Sequence, residues 1–267
     1  MLLRSFLISL LGLLLMNSIA TATERVDIVP QRVILQPRER AGEFTLLNRG
    51  NTTGTFRIEV LSFKQDQYGV YEELKQPLNP AFDPEKILRL SPRQFTLEPE
   101  ARQKIRFSIR KPENLPEGEY RFHIRATRMS EYGPPAPVND KASSVGMAMN
   151  IGVAIPVIIR HGQVQAGATL SDLAYNPSGQ DGKPALTFTL NRTGNASILG
   201  TATAIWQPTG GQPQQIGSMG NLNVFTENAY RKVSMPLDTV PSGSGTIQLT
   251  YTNDETKTPY AEATLQR

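Results

Sequence analysis

Few residues in this chain are equipped for covalent chemistry. The sequence has two histidines, His123 and His161, and no cysteine. Zinc hydrolysis therefore lacks a ligand set and thiol chemistry lacks a nucleophile, and no H-E-x-x-H spacing occurs. "PSGSGT" reads as a flexible turn, not a G-x-S-x-G elbow. The carboxylates are scattered without suggesting a glycosidase pair, and no glycine-rich phosphate loop opens a helix. The expectation is a protein that is not an enzyme and needs no cofactor or metal. Arg32, on the opening strand just before the apolar "VIL", reads on its own as a solvated arginine. One feature with distinctive spacing remains, and it is suited to binding. From Ser143 to Ile159, Val145, Met147, Met149, Ile151, Val153 and Ile155 alternate with Gly146, Ala148, Asn150, Gly152 and Ala154. This period of two describes a strand with one large-apolar face and one small-residue face. Periodicity alone leaves open whether that face meets the protein's own core or another chain.

The elements that must position these residues are strands. Arg4 precedes an apolar run from Phe6 to Met16, and small residues at Ala20 and Ala22 complete the pattern of a secretory leader over residues 1–22. The run is too short to span a membrane. About 245 residues remain, enough for one large or two ordinary domains, with a charge near +3 once Arg4 is removed from the formal +4. Basic and acidic residues are interleaved, which argues against nucleic acid as a partner. Alternating segments such as "RVDIVPQRVILQP", "GTFRIEVLSF", "ILRLSPRQFTL", "RQKIRFSIRKP" and "GEYRFHIRATRM" are separated by Gly, Pro and Asn turns, and no ordinary amphipathic helix intervenes. Lys104, Arg106 and Arg110, with Arg121, His123 and Arg125, fall opposite the apolar positions and read as a solvated basic sheet face. "MSEYGPPAPVNDKASS" reads as a loop. After "RHGQ" the chain turns to Thr, Gly, Gln and Asn, again with strand-like pieces, and Trp206 reads as core. The pattern predicts an all-β fold of two immunoglobulin-like β-sandwich domains, 23–161 and 162–267, set at an angle with a hinge at His161 and Gly162.

"VPQRVILQP" with "GEFTLLNRGNTTGTFRIEV", and "SPRQFTLEPEARQKIRFSIRKPENLPEGEYRFHIRA", resemble the PapD-like periplasmic chaperones of the chaperone-usher pilus pathway. The likeness covers about half the chain, all in its first part. It implies a protein that binds pilus subunits by donor-strand complementation in the periplasm and delivers them to an outer-membrane usher. On this resemblance Val145, Met147, Met149, Ile151 and Val153 are the donated residues, and Arg32 is one of two basic residues that anchor the subunit's terminal carboxylate. The second, a lysine in the family, falls near Pro156, which carries neither charge nor amide hydrogen and is expected to bend or interrupt the strand. Arg125 and Arg160 are the candidates to replace it. A secreted adhesin or structural protein of two sandwiches is the alternative reading.

Overall fold

Prolines decide where the chain changes sheet. The computed structural model describes residues 25–129, 152–179 and 182–267. The segment around "VDIVPQRVIL", which reads as one strand, is two: β1 (Val26–Val29) and β2 (Val33–Leu35), divided at Pro30. They join different sheets, because a proline has no amide hydrogen to continue a ladder. The chain continues through β3 (Ala41–Asn48), β4 (Gly54–Gln65), β5 (Tyr71–Leu74) and one helical turn, α1 (Pro84–Ile87). Asp83 caps that turn by accepting a hydrogen bond from the Glu85 amide. The next segment divides in the same way at Pro92, into β6 (Leu88–Ser91) and β7 (Gln94–Leu97). The long strands β8 (Arg102–Ile109), β9 (Gly118–Arg128) and β10 (Gly152–His161) follow.

These elements form a sandwich. One sheet has the order β1-β3-β8-β6, and the other runs β2-β10-β9-β4-β5 with β7 on β4. The interior follows from period-two alternation. Ile105, Phe107 and Ile109 from β8 face Tyr120, Phe122, Ile124 and Ala126 from β9 across one apolar core. Lys104 and Arg106 point outwards and pair with Glu43.

Strand β10 crosses Pro156 without interruption. It pairs antiparallel with β9 over its whole length, from Gly152 opposite Thr127 to His161 opposite Gly118. This corrects the expectation that Pro156 bends or breaks the strand. At that level β10 has, among the described residues, a neighbouring strand on one side only, so the missing amide hydrogen removes no inter-strand bond on the other side.

The remaining chain builds a second sandwich from β11 (Ala166–Asn176), β12 (Ala185–Gly194), β13 (Ile198–Pro208), β14 (Gln214–Val224), β15 (Tyr230–Pro236), β16 (Gly245–Asn253) and β17 (Pro259–Gln266). Its sheets have the orders β11-β12-β15 and β14-β13-β16-β17. Trp206, Tyr251 and Met235 lie in its own core, Trp206 as its alternation suggests. The fold is all-β, in two sandwiches with separate cores joined by a small apolar contact of Ile158, Leu199 and Phe225 with Ile34.

The first core depends on β9. Ile124→Ala is expected to cost about 2–5 kcal/mol, because the side chain is fully buried among neighbours that cannot collapse onto the void. Urea unfolding measures this; a loss below about 1 kcal/mol would show a looser core than these contacts imply.

Candidate functional site

The two faces and two edges of β10 have different fates. Val153, Ile155, Val157 and Ile159 point towards the first core, while Ile158 packs on the second sandwich. Along its outer edge β10 meets β2 in parallel, but only where Val157, Ile158 and Ile159 face Val33, Ile34 and Leu35. From Gly152 to Pro156 no strand among the described residues pairs with that edge. Unpaired backbone groups beside partly buried Val153 form a template for another strand. Arg32 immediately precedes Val33, the partner of Val157, so it stands level with Pro156, where β2 leaves β10.

A cleft of about 600 Å³ opens beside this edge. One wall is β1 with Val153, Ala154, Ile155 and Pro156; the other includes Leu199, Asn221, Asn223, Phe225 and Arg231 of the second sandwich. Arg32, at the edge of the cleft, binds the second sandwich through Asp254 at 2.9 Å and the Asn221 side-chain oxygen at 2.7 Å. Asp254 is held in turn by the Thr201 hydroxyl at 3.0 Å. A bulge in β14 makes the Asn221 contact possible. Relative to β13, β14 carries an extra residue between Met219 and Leu222, and Asn221 adopts φ +53° there, a conformation asparagine tolerates.

The other candidate anchors lie elsewhere. Arg125 binds Glu59 through Nε and Nη2 at 3.3 and 3.2 Å and Glu73 through Nη1 at 3.1 Å. Arg160 forms a two-pronged pair with Glu255 at 3.0 and 2.7 Å and a longer ion pair with Glu119 at 3.6 Å. Neither lines the cleft. Of the donor residues, Val153 sits on β10 with its side chain against the first core. Val145, Met147, Met149 and Ile151 lie outside the described residues, as does the loop from 130 to 144.

Behind the cleft the sandwiches are joined by charges taken out of water, which corrects the reading of a wholly solvated basic face. Arg121 and His123 are buried, at 8% and 4% exposure: Glu227 and Phe225 of the second sandwich cover Arg121, and the rings of Phe63 and Tyr71 flank His123. Alternation assigns these residues to a face but does not say what covers it. Arg121 pairs with Glu227, donates to the Phe63 carbonyl at 3.1 Å, and lies 3.8 Å over the Phe225 ring. Glu119 accepts hydrogen bonds from the amide and hydroxyl of Ser197. Burial raises its carboxyl pKa, against the lowering effect of Ser197 and Arg160. The β4–β5 hairpin adds backbone contacts: the Lys232 amide donates to the Gln67 carbonyl at 2.7 Å, and Asn228 donates to the Gln65 carbonyl at 2.7 Å.

No family model matches the chain, and no curated protein matches it. Among solved structures it is similar to the E. coli chaperone DraB at 14% identity and TM-score 0.45, over 91% of this chain and 96% of that one. It is also similar to a chain of the Salmonella enterica SafA pilin–SafB chaperone complex, at 14% identity and TM-score 0.44, over 93% and 99% of the two chains. A third similarity, at 13% identity and TM-score 0.39 over 83% and 93%, is to a chain of the Acinetobacter baumannii CsuC–CsuE chaperone–tip subunit complex.

The buried imidazole gives the junction an acid limit. Burial, reinforced by the neighbouring Arg121 charge, lowers the pKa of His123 from 6.5 to about 3. Between these values the unfolded chain binds the extra proton, so stability falls as pH drops from 6.5 towards 3. Glu119, with its raised pKa, favours the folded state in acid and is common to wild type and variant. His123→Gln is therefore expected to flatten the acid limb of a plot of urea midpoint against pH; parallel limbs for the two proteins would contradict this assignment.

Proposed function

We propose that the chain is a periplasmic chaperone that stabilises pilus or fimbrial subunits by lending them a strand and passes them to an outer-membrane usher. The observation that carries this reading is the one-sided stretch of β10 from Gly152 to Pro156, open beside a cleft that contains Arg32. A subunit whose own sandwich lacks a strand exposes both an unpaired edge and an apolar groove, and β10 offers the complement of each. The parity of Val153 continues in sequence through Ile151, Met149, Met147 and Val145, which are the donated residues on this reading. Methionines suit a strand that must fit several grooves, because the thioether side chain adapts its shape. A subunit strand ending at Arg32 runs parallel to β10, with its terminal carboxylate at the level of Pro156. Arg125 and Arg160, already engaged by carboxylates, would each have to exchange a partner to join that anchor.

In this account residues 1–22 are a leader removed on secretion. Residues 23–161 form the chaperone domain and 162–267 the second domain, with the hinge at His161 and Gly162. The left-handed φ of +65° at Gly162 supports a sharp change of direction there.

The test is affinity purification of the mature protein from the periplasm of its native host, comparing wild type, Met149→Arg and Arg32→Ala. Small pilin-like partners are expected at one-to-one stoichiometry with wild type, absent with Met149→Arg and reduced about tenfold or more with Arg32→Ala, as loss of a charged hydrogen-bond partner implies. A preparation free of such partners, from cells shown to be assembling pili, would favour the adhesive or structural alternative.

A further inference from the structure

Three arginines line the cleft: Arg25, which pairs with Asp27, Arg32, and Arg231, which comes from the second sandwich. We infer that Arg231, contributed by the second sandwich, completes with Arg32 a two-arginine site for the carboxylate that ends a bound strand. The inference deepens the chaperone reading and rests on it for the identity of the ligand as a chain end; the anion site itself follows from the geometry.

Both arginines are held by the same strand. Arg32 donates to the side-chain oxygen of Asn221, and Arg231 donates through Nη1 to the carbonyl and side-chain oxygens of Asn223 at 3.2 and 3.5 Å. Both side chains border the same cleft, so a carboxylate entering it meets charged donors from each sandwich. The charges also call for an anion. Arg32 is matched by Asp254, whereas Arg231 forms no ion pair with any described carboxylate, and its Nε is buried without a hydrogen-bond partner. Asp66 attracts it only from a greater distance and itself accepts hydrogen bonds from the Tyr68 and Val70 amides. Arg32, Asp254 and Arg231 together carry one excess positive charge, which a single terminal carboxylate neutralises.

The pose of Arg231 is set by the first sandwich. The tip of the β4–β5 hairpin lies against its guanidinium at Gly69, where φ is +89° and a Cβ would collide with the arginine. Any other residue at position 69 would push the arginine out of place. The site is thus assembled from both sandwiches, and it supplies from the facing wall the charge that Pro156 lacks on β10.

The experiment uses the whole mature chain and three probes: acetate, a peptide of about eight alternating valine and threonine residues with a free C-terminal carboxylate, and the same peptide amidated. Arginine Nε–H signals are followed by NMR and peptide affinity by fluorescence anisotropy. Acetate is expected to move the Arg231 and Arg32 signals saturably with one shared dissociation constant. The free-acid peptide should bind about tenfold or more tightly than the amide. Arg231→Gln should bring that ratio close to one, and Arg231→Lys, which keeps the charge without the fork, should restore part of it. An Arg231 signal indifferent to acetate, or an acid-over-amide ratio unchanged in Arg231→Gln, would overturn the site. Equal binding of both peptides to wild type would retain strand addition and reject Arg231. Saturable acetate binding at Arg231 with no peptide binding would support the anion site and reject the strand reading. The acetate titration of wild type decides even if Arg231→Gln folds poorly.

Discussion

Strand β10 has β9 along its whole length but β2 along only three residues, and the proposed use of the molecule depends on that mismatch. A fully paired β10 would be an ordinary core strand. With no strand among the described residues on the outer edge from Gly152 to Pro156, its backbone groups and the apolar row at Val153 and Ile155 remain beside an open cleft. The chain limits the hazard of such an edge by placing it where β1 and the second sandwich crowd the approach, and by including a proline, which reduces the donors available to an unsuitable strand. The sequence break at Pro30 has a part in this: it sends β1 to the other sheet and leaves β2 too short to cover β10.

The second sandwich contributes a wall of that cleft as well as a fold of its own. It is fixed to the first by few apolar side chains and by charged ones: Arg121 with Glu227, Arg160 with Glu255, Arg32 with Asp254, and Glu119 accepting from Ser197. Charged pairs removed from water return little net stability, since desolvation offsets most of the attraction, but they penalise any displacement that leaves one partner buried alone. An interface of this kind specifies an arrangement more than it strengthens the fold. That property suits a cleft whose opposed walls must remain in register for Arg32 and Arg231 to act on the same group.

Much of this was legible in the sequence because it depends on local periodicity. Alternation in "KIRFSI" and "YRFHIRA" identified the core-facing residues of β8 and β9, and Trp206 was recognisable as core. Arg32 is singled out by the family resemblance alone; by itself it reads as a solvated arginine. Properties set by distant parts of the chain were not legible. Nothing near Arg121 shows that Glu227 and Phe225 cover it, more than a hundred positions away. Arg231 lies in "AYRKVSMPL", where it resembles any outward-facing strand residue; its role depends on Gly69 and on a bulge at Asn221 that no turn signal announces. The passage of β10 through Pro156 also ran against the local rule, because tolerance of proline depends on which edge lacks a neighbour.

The most direct test of the central claim is amide hydrogen exchange along β10, residue by residue, in the free mature protein and in its complex with the subunit that co-purifies with it. The account predicts strong protection at Val157, Ile158 and Ile159 in both states. Within Gly152 to Ile155, it predicts amides that exchange quickly in the free protein and become protected in the complex. Uniform protection of β10 in the free protein, or a bound subunit that leaves those four residues unchanged, would contradict it.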